Sequence, residues 1–533
     1  MIEIERKIKD VIEDLKSVCA NFGLGNDGNE FKVITQIFLY KYLNDQFLYT
    51  LKQMDEFKKF DDVEKRYKEM DDNERALVRL QLGNVAYFEP EHLLSSVYQK
   101  QNEKDFAKDF DDTLETIAAN NADIFSVKTD SGAKIRLFDR LSEFITDPSK
   151  RNNFIKALIN KLINVSFEEM FHQKYDFYAT IFEYLIKDYN NDSGGKYAEY
   201  YTPHMVASIM AELLVEDEVR NVKCYDPSAG SGTLLMNLAH KIGEDKCTIY
   251  SQDISQKSTH LLRLNLILNN LIHSISNIVQ GNTLLNPAHT DKRFEFIVSN
   301  PPFKMDFSDY RDLLESEENK ERFFAGVPKV PNKKKESMAI YLLFIQHIIY
   351  MLKEKGRAAI VVPTGFLTAT GTIEKKIRQK IVEEGWLRGV ISMPSNIFAT
   401  TGTNVSIVFL AKERQKNTVL IDASKLGSKI KDGKKQRNVL SKDEENRIIN
   451  VFKEKKEEKD FSVVVDFDEI KEKNYSFSAG QYFDIEIEHV DITKEEFEEK
   501  MKNYQQELSE LFAKSKELEN EIMNNFEKLI FKG

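Results

Sequence analysis

Cysteine is scarce in this sequence: three residues in 533, Cys19, Cys224 and Cys247, far apart and in no metal-spaced pair. That excludes a disulfide framework and a cysteine zinc site, and it predicts a reduced, disulfide-free, cytoplasmic protein. No uninterrupted apolar run is long enough to span a bilayer, so no membrane partner is expected. The opening MIEIERKIKD alternates charges and has no apolar signal core. The nine histidines show no ligand spacing, and no metal is expected. There is no internal repeat, no Gly/Ser-rich or Pro-rich linker, and no nuclease or helicase motif. An excess of positive charge is missing too: 76 basic against 87 acidic residues leave a net charge of −11. A uniformly acidic surface repels phosphate backbones, so binding nucleic acid would need a local basic face or a basic partner.

What is present, 41% hydrophobic and 31% charged residues, fits a soluble globular chain with many exposed helices and material for a large core. Residues 1–165 read as a helical N-terminal domain, with Phe31, Ile34, Phe38 and Tyr42, then Phe154, Leu158 and Leu162, at helical spacing. The charged stretch between them, about 52–150, suggests packing or partner contact. From about 220, short β-rich runs alternate with helical stretches, at 222–226, 247–253, 278–282, 294–300, 357–363, 389–393 and 405–411. That alternation predicts an α/β fold with a doubly wound, mainly parallel sheet, in a domain over 166–412. Residues 413–490 are charge-dense and read as a solvated extension with a little β-structure. Over 491–533, Phe497, Met501, Tyr504, Leu508, Leu511, Leu518 and Ile522 form a heptad stripe on one long helix.

Two motifs carry chemistry. The first is Asp226-Pro227-Ser228-Ala229-Gly230-Ser231-Gly232-Thr233, directly after a predicted strand. Small residues let the backbone turn tightly and come close to a ligand. A second strand ends in Asp253, 21 residues past Gly232, an offset at which a carboxylate accepts hydrogen bonds from ribose hydroxyls. A tight turn with no ligand is the plainer alternative, but the two strand ends together point to a nucleoside. The loop lacks the third glycine of the dinucleotide fingerprint and a Gly-Lys-Ser/Thr ending, which disfavours NAD and an ATP-cradling loop.

The second motif is Asn300-Pro301-Pro302-Phe303, closing a later predicted strand on the same sheet edge. An exocyclic nucleobase amine is a poor nucleophile because its lone pair is delocalised into the ring. The Asn300 side-chain oxygen and the Pro301 carbonyl can each accept one N–H, which localises that lone pair. The prolines fix the backbone and remove competing donors. Phe303 can stack on an extruded base for roughly 1–3 kcal/mol, comparable with the cost of flipping it.

As an ordered set these motifs resemble the modification (M) subunit of type I restriction–modification systems, within the N6-adenine DNA methyltransferases, over most of the chain. The resemblance implies a Rossmann-like methyltransferase fold using S-adenosylmethionine, with Asp226, Ala229, Gly230, Ser231, Gly232, Thr233 and Asp253 holding the donor. Asn300, Pro301, Pro302 and Phe303 would be catalytic. Glu199-Tyr200-Tyr201-Thr202-Pro203 resembles the family's pre-sheet motif, which contacts the methionine part of the donor. Asp176 and Ile181 to Ile186 match the lead-in helix. Gly356-Arg357, Val362-Pro363, Pro394, Ile397-Phe398, Thr401-Gly402-Thr403 and Ser478 to Phe483 fall in family order. Asp253 stands where Glu is frequent, Ala179 where Gly is, and Asn282 where Asp is common. Asn282 can still accept from the donor's adenine amine and is counted with the donor-binding residues.

The resemblance implies direct methyl transfer, without metal, to an adenine flipped from double-stranded DNA. The implied partners are a specificity subunit, a second copy of the modification subunit and, where the system has one, a restriction (nuclease/translocase) subunit. Three rival readings stay open: N4-cytosine methylation, a self-sufficient methyltransferase, and a non-catalytic scaffold subunit. The residues after 411 leave little room for a target-recognition domain, which disfavours self-sufficiency. His204 reads as structural or surface. The run Lys333-Lys334-Lys335 fits a solvated loop or a contact with DNA phosphates equally well. The terminal stripe suits a partner helix better than packing on its own core.

Overall fold

The computed structural model describes residues 2–25, 28–173, 175–192, 202–398, 403–432, 435–483 and 493–527. The chain divides into two compact units, one ending at Tyr482 and one starting at Phe483.

The first unit is organised by an eleven-stranded sheet. Its strands in chain order begin with β1 (Val127–Thr129), β2 (Lys134–Ile135), β3 (Val222–Asp226), β4 (Cys247–Asp253), β5 (Ile278–Gln280) and β6 (Phe294–Ser299). There follow β7 (Leu352–Pro363), β8 (Leu387–Ser392), β9 (Val405–Ala411), β10 (Asn417–Asp422), a separate hairpin of β11 (Ser428–Asp432) and β12 (Lys435–Val439), and β13 (Ser462–Asp466). Across the sheet the order is β13-β10-β8-β9-β7-β6-β3-β4-β5-β1-β2. From β7 through β1 every neighbour is parallel. The antiparallel pairs lie towards the two ends of the sheet. Central strands are buried on both faces, as in β9, where all seven residues are buried, and helices cover them. This is the expected mainly parallel α/β sheet. Its order reverses at β3, whose chain winds out through β4 and β5 and then returns to β6 on the other side. Ligands bind beyond the carboxyl ends of strands at such a switch point.

Tertiary context adds strands where charge hid them. The segment expected as a solvated extension supplies β10 and β13, whose inner residues Val419 to Ile421 and Val465 are buried while the charges sit between strands. The helical N-terminal region supplies β1 and β2. The buried guanidinium of Arg263 ties them down, donating to the carbonyls of Phe125, Ile135 and Leu137 at 3.2–3.3 Å. In that region the helix Gly28–Gln53 buries the expected Phe31, Ile34, Phe38 and Tyr42, and also Val33, Ile37, Tyr40 and Phe47 on its other faces. The helix Pro148–Leu162 starts on an Asp147 N-cap with proline in its first turn, and Phe154, Leu158 and Leu162 are buried. The three cysteines are buried and free. Among the described residues no helix is long and apolar enough to cross a membrane.

The second unit is one long helix, Lys494–Glu527. Thr493 and Glu496 close its start reciprocally, the Glu496 N–H donating to the Thr493 hydroxyl and the Thr493 N–H to the Glu496 carboxylate. Every member of the stripe from Phe497 to Ile522 is 50–63% exposed.

Candidate active site

Strands β3, β4 and β6 end side by side, and the turns leaving their carboxyl ends build a cleft open to solvent, lined by Asp226, Asp253, Asn282 and Asn300. After β3 the chain makes a tight turn into the helix Thr233–Ile242. Gly232 sits at φ +84° in that turn, and a Cβ there would lie 2.3 Å from Leu262 Cδ1, so only glycine fits. The close approach it permits is to the helix Gln256–Leu268. Gly230 aims its N–H at Asp253 Oδ2, 2.9 Å away, which couples the β3 turn to the end of β4. Ser231 and Thr233 are buried behind the turn, their hydroxyls 3.1 Å apart.

The floor is acidic. Asp226 is 1% exposed, and its Oδ1 accepts the Ser228 N–H at 2.9 Å. Burial pushes its carboxyl up to about 8; the Ser228 N–H opposes this, and the neighbouring charge of Asp253 adds to it. Asp253 is also raised, again chiefly by burial, against the N–H groups of Ser255 and Gly230. Neither carboxylate has a basic side chain within 4 Å among the described residues. Two buried carboxylates without a counter-ion make a pocket suited to a ligand that brings positive charge and hydroxyl donors.

Asn300 lies just past β6. Its amide nitrogen donates to the Thr202 hydroxyl at 3.2 Å, and its oxygen accepts no hydrogen bond from the described residues. Thr202 and Pro203 are buried, with Pro203 at the cap of the helix His204–Leu214. Pro301 is buried, Pro302 lines the cleft, and Phe303 meets Tyr341 edge-on at 6.4 Å. Thus Thr202, Asp226, Ala229, Asp253, Asn282, Asn300 and Pro302 share the cleft walls. Glu199, Tyr200, Tyr201, Thr401 and Gly402 lie outside the described residues.

One expectation is redirected. The Asn282 oxygen already accepts the N–H groups of Leu284 and Leu285, at 3.0 and 3.2 Å, so it closes its own turn. What Asn282 has left to offer is its amide N–H, which shares the cleft with the Tyr310 ring. The loop is fixed from behind by Arg322, a buried guanidinium that donates to the carbonyls of Thr283 and Leu284. Sequence reasoning missed Ile254, Met305, Tyr310, Ile340 and Phe344, which complete the walls. Only Ile254 carried a signal: an apolar residue directly after Asp253, left 57% exposed.

The fold and site together define an α/β protein with an acidic cleft at the sheet's switch point and an Asn-Pro-Pro-Phe turn beside it. The family model of N-6 DNA methylase matches residues 173–527, and the chain belongs to that family. It is similar to the type I restriction enzyme MpnII methylase subunit of Mycoplasma pneumoniae, 27% identical and covering 97% of this chain and 95% of that protein. The MjaIX methylase subunit of Methanocaldococcus jannaschii is also 27% identical, over 74% of this chain and 71% of its own. A solved type I restriction–modification methyltransferase subunit from Streptococcus thermophilus shares the fold, with a TM-score of 0.72 at 23% identity, over 90% of this chain and all of that one.

Proposed function

We propose that the chain is the modification subunit of a type I restriction–modification system. In this reading it transfers methyl from S-adenosylmethionine to N6 of an adenine flipped out of double-stranded DNA, in the cytoplasm, at sites chosen by a separate specificity subunit. The observation that carries the chemistry is the Asn300 amide: Thr202 fixes its nitrogen, which leaves its oxygen as an acceptor beside the acidic cleft.

The cleft suits the donor in charge. When bound, S-adenosylmethionine supplies a methyl group already activated by its positive sulfur. Asp253 accepts from ribose hydroxyls through the lone pairs not used by Gly230 and Ser255. Asp226, with Thr202 in the same cleft, receives the positively charged part of the donor. Asn282 and Ile254 take the donor's base, one by its amide N–H and the other by apolar contact. On the target side, the Asn300 oxygen and the Pro301 carbonyl each accept one N–H of the adenine amine, concentrating its lone pair on nitrogen, while Phe303 stacks on the ring. These groups are held before the substrate arrives, so their alignment costs little at the moment of reaction. The amine's spare proton passes to water after transfer, and no strong base is required.

The C-terminal helix would dock the chain on the specificity subunit, and a second modification subunit would complete the assembly. The relatives are themselves named as subunits, in keeping with this arrangement. Mapping modified bases in DNA from cells with and without this gene and its neighbours tests the reading. N6-methyladenine at one sequence motif is expected. Its absence, or N4-methylcytosine in its place, would overturn the assignment.

A further inference from the structure

The catalytic turn leads into a segment, 304–338, that the chemistry above leaves without a role. Its beginning and end are held together: the Met305 N–H donates to the Met338 carbonyl at 3.1 Å. Phe307, Phe323, Val327, Met338 and Ile340 bury themselves in one small core beneath it. Between the anchors Val327 and Met338 lies a short exposed turn carrying Lys333, Lys334 and Lys335. Lys334 is in the left-handed region at φ +59°, and its carbonyl accepts both the N–H and the hydroxyl of Ser337, at 2.9 and 2.7 Å. The run is therefore presented on a fixed turn and not on a floppy loop, which lowers the ordering cost of any contact it makes.

Two further facts say what the turn faces. Lys335 is near enough to Asp306 to help the Ser308 N–H hold that carboxyl below its ordinary range, which places the run beside the residues just past Phe303. Lys304, exposed on that same stretch, lines the cleft. None of Lys304, Lys333, Lys334 or Lys335 has a carboxylate within 4 Å among the described residues, whereas Lys320 in the same segment is paired with Glu317. A chain of net charge −11 thus presents Lys304 in the cleft wall and, on the turn tied to it through Met305 and Met338, Lys333 and Lys334 without a carboxylate within 4 Å among the described residues and Lys335 close to Asp306. The groups that must pass this wall with the flipped base are the phosphates flanking it. Duplex DNA carries one negative charge per roughly 1.7 Å of helix axis.

We infer that the turn Lys333-Lys334-Lys335, held against the catalytic turn by the Met305–Met338 bond, is a phosphate clamp for the DNA strand beside the flipped adenine. This rests on the functional reading above. The lysines act as point charges and read no sequence.

The test uses the complete complex with its specificity subunit and a duplex carrying a mapped methylation site. Binding is measured over a range of salt for the wild type, for K333Q/K334Q/K335Q and for K333R/K334R/K335R. The glutamine variant should bind the duplex about ten- to a hundredfold more weakly at low salt. Its plot of log affinity against log salt should be shallower by about 2–3, close to 0.9 per lost phosphate contact. The arginine variant should keep the wild-type slope. S-adenosylmethionine affinity and co-elution with the specificity subunit should not change. A wild-type slope in the glutamine variant overturns the clamp. So does loss of co-elution with the slope retained, which would assign the turn to a protein contact. A wild-type complex that binds the duplex yet methylates no adenine overturns the functional reading, while the slopes still decide the clamp.

Discussion

The carboxyl edge of the sheet and the C-terminal helix break the ordinary rules of burial in opposite directions. At the sheet edge, Asp226 and Asp253 are buried with no cation in reach among the described residues. On the helix Lys494–Glu527, Phe497, Leu508, Leu511 and Ile522 are apolar and more than half exposed. Each departure is costly for the chain alone, the first through desolvated charge and the second through wetted hydrocarbon. Each is relieved by a different kind of partner: a compact ligand bearing positive charge for the cleft, an apolar helical face for the stripe. Large exposed apolar patches and strongly shifted buried acids are both markers of sites, and here they mark two sites of unlike chemistry. Substitutions in one should leave the function of the other intact, and that independence is the sharpest way to break the comparison.

The largest effect belongs to the sheet edge. Asn300→Ala should lower methyl transfer by about 10²–10³-fold, the scale of losing one preorganised hydrogen-bonding group, while donor affinity stays within a factor of two or so. Single-turnover transfer of labelled methyl by the assembled complex, with calorimetry on the same variant, checks both halves. Transfer at the wild-type rate would remove Asn300 from the chemistry. Next in size is the helix. Leu508→Asp with Leu511→Asp takes two apolar side chains out of the stripe, about 3–6 kcal/mol at 1.5–3 each, and should weaken association with the specificity subunit at least a hundredfold. Co-purification and sedimentation measure it. Donor binding by the same variant should be unchanged, and a fall there would show that the two sites are not independent.

How far these sites were legible in the sequence depends on the same physics. The strands β3, β4 and β9 read at their observed bounds because apolar, β-branched runs between turn residues leave few alternatives. Strands β10 and β13 did not stand out, since their short apolar centres, VLI and VVV, lie within charge-dense sequence. Short β1 and β2 carry almost no apolar signal and exist through pairing, β1 with β5 and β2 with β1. In the site, polar residues at or directly after a strand end were legible: Asp226, Asp253 and Asn300 sit where strand ends must put them. Tyr310, Ile340 and Phe344 were not, because they reach the cleft through the packing of 304–344, which no local period encodes.

A smaller effect tests the buried charge directly. With no ligand, burial holds the Asp226 carboxyl near 8, far above its unfolded value. A positively charged donor favours the ionised form, so binding below that pH releases a proton. Affinity should then rise with pH, at most tenfold per unit between about 6.5 and 8, and level off above. Asp226→Asn should bind more weakly at high pH and show a flat profile. Folding stability runs the other way. A carboxyl raised on folding contributes fully below the unfolded pKa, and that contribution is lost as pH rises through about 8. The ligand-free Asn variant should therefore gain on the wild type in thermal unfolding at pH 9 relative to pH 5. A pH-independent donor affinity in the wild type would mean that Asp226 is not near the ligand's charge.

The smallest effect concerns the side of the cleft that sequence did not reveal. Tyr310 lines the same cleft as Asn282, whose oxygen is already committed to Leu284 and Leu285. Tyr310→Phe keeps the ring in the wall and removes only the hydroxyl. One hydrogen bond between neutral groups is worth about 0.5–1.5 kcal/mol net, so the donor should bind roughly two- to tenfold more weakly. Because the hydroxyl belongs to the wall that Asn282 shares, the weakening should appear in the dissociation constant for S-adenosylmethionine and in its KM. The rate at saturating donor should stay near that of the wild type. Adenosine alone should show the same proportional loss, since Asn282 faces the base and not the methionine part. If the variant loses affinity for S-adenosylmethionine but not for adenosine, Asn282 does not hold the donor's base, and the orientation of the donor within the cleft must be reversed.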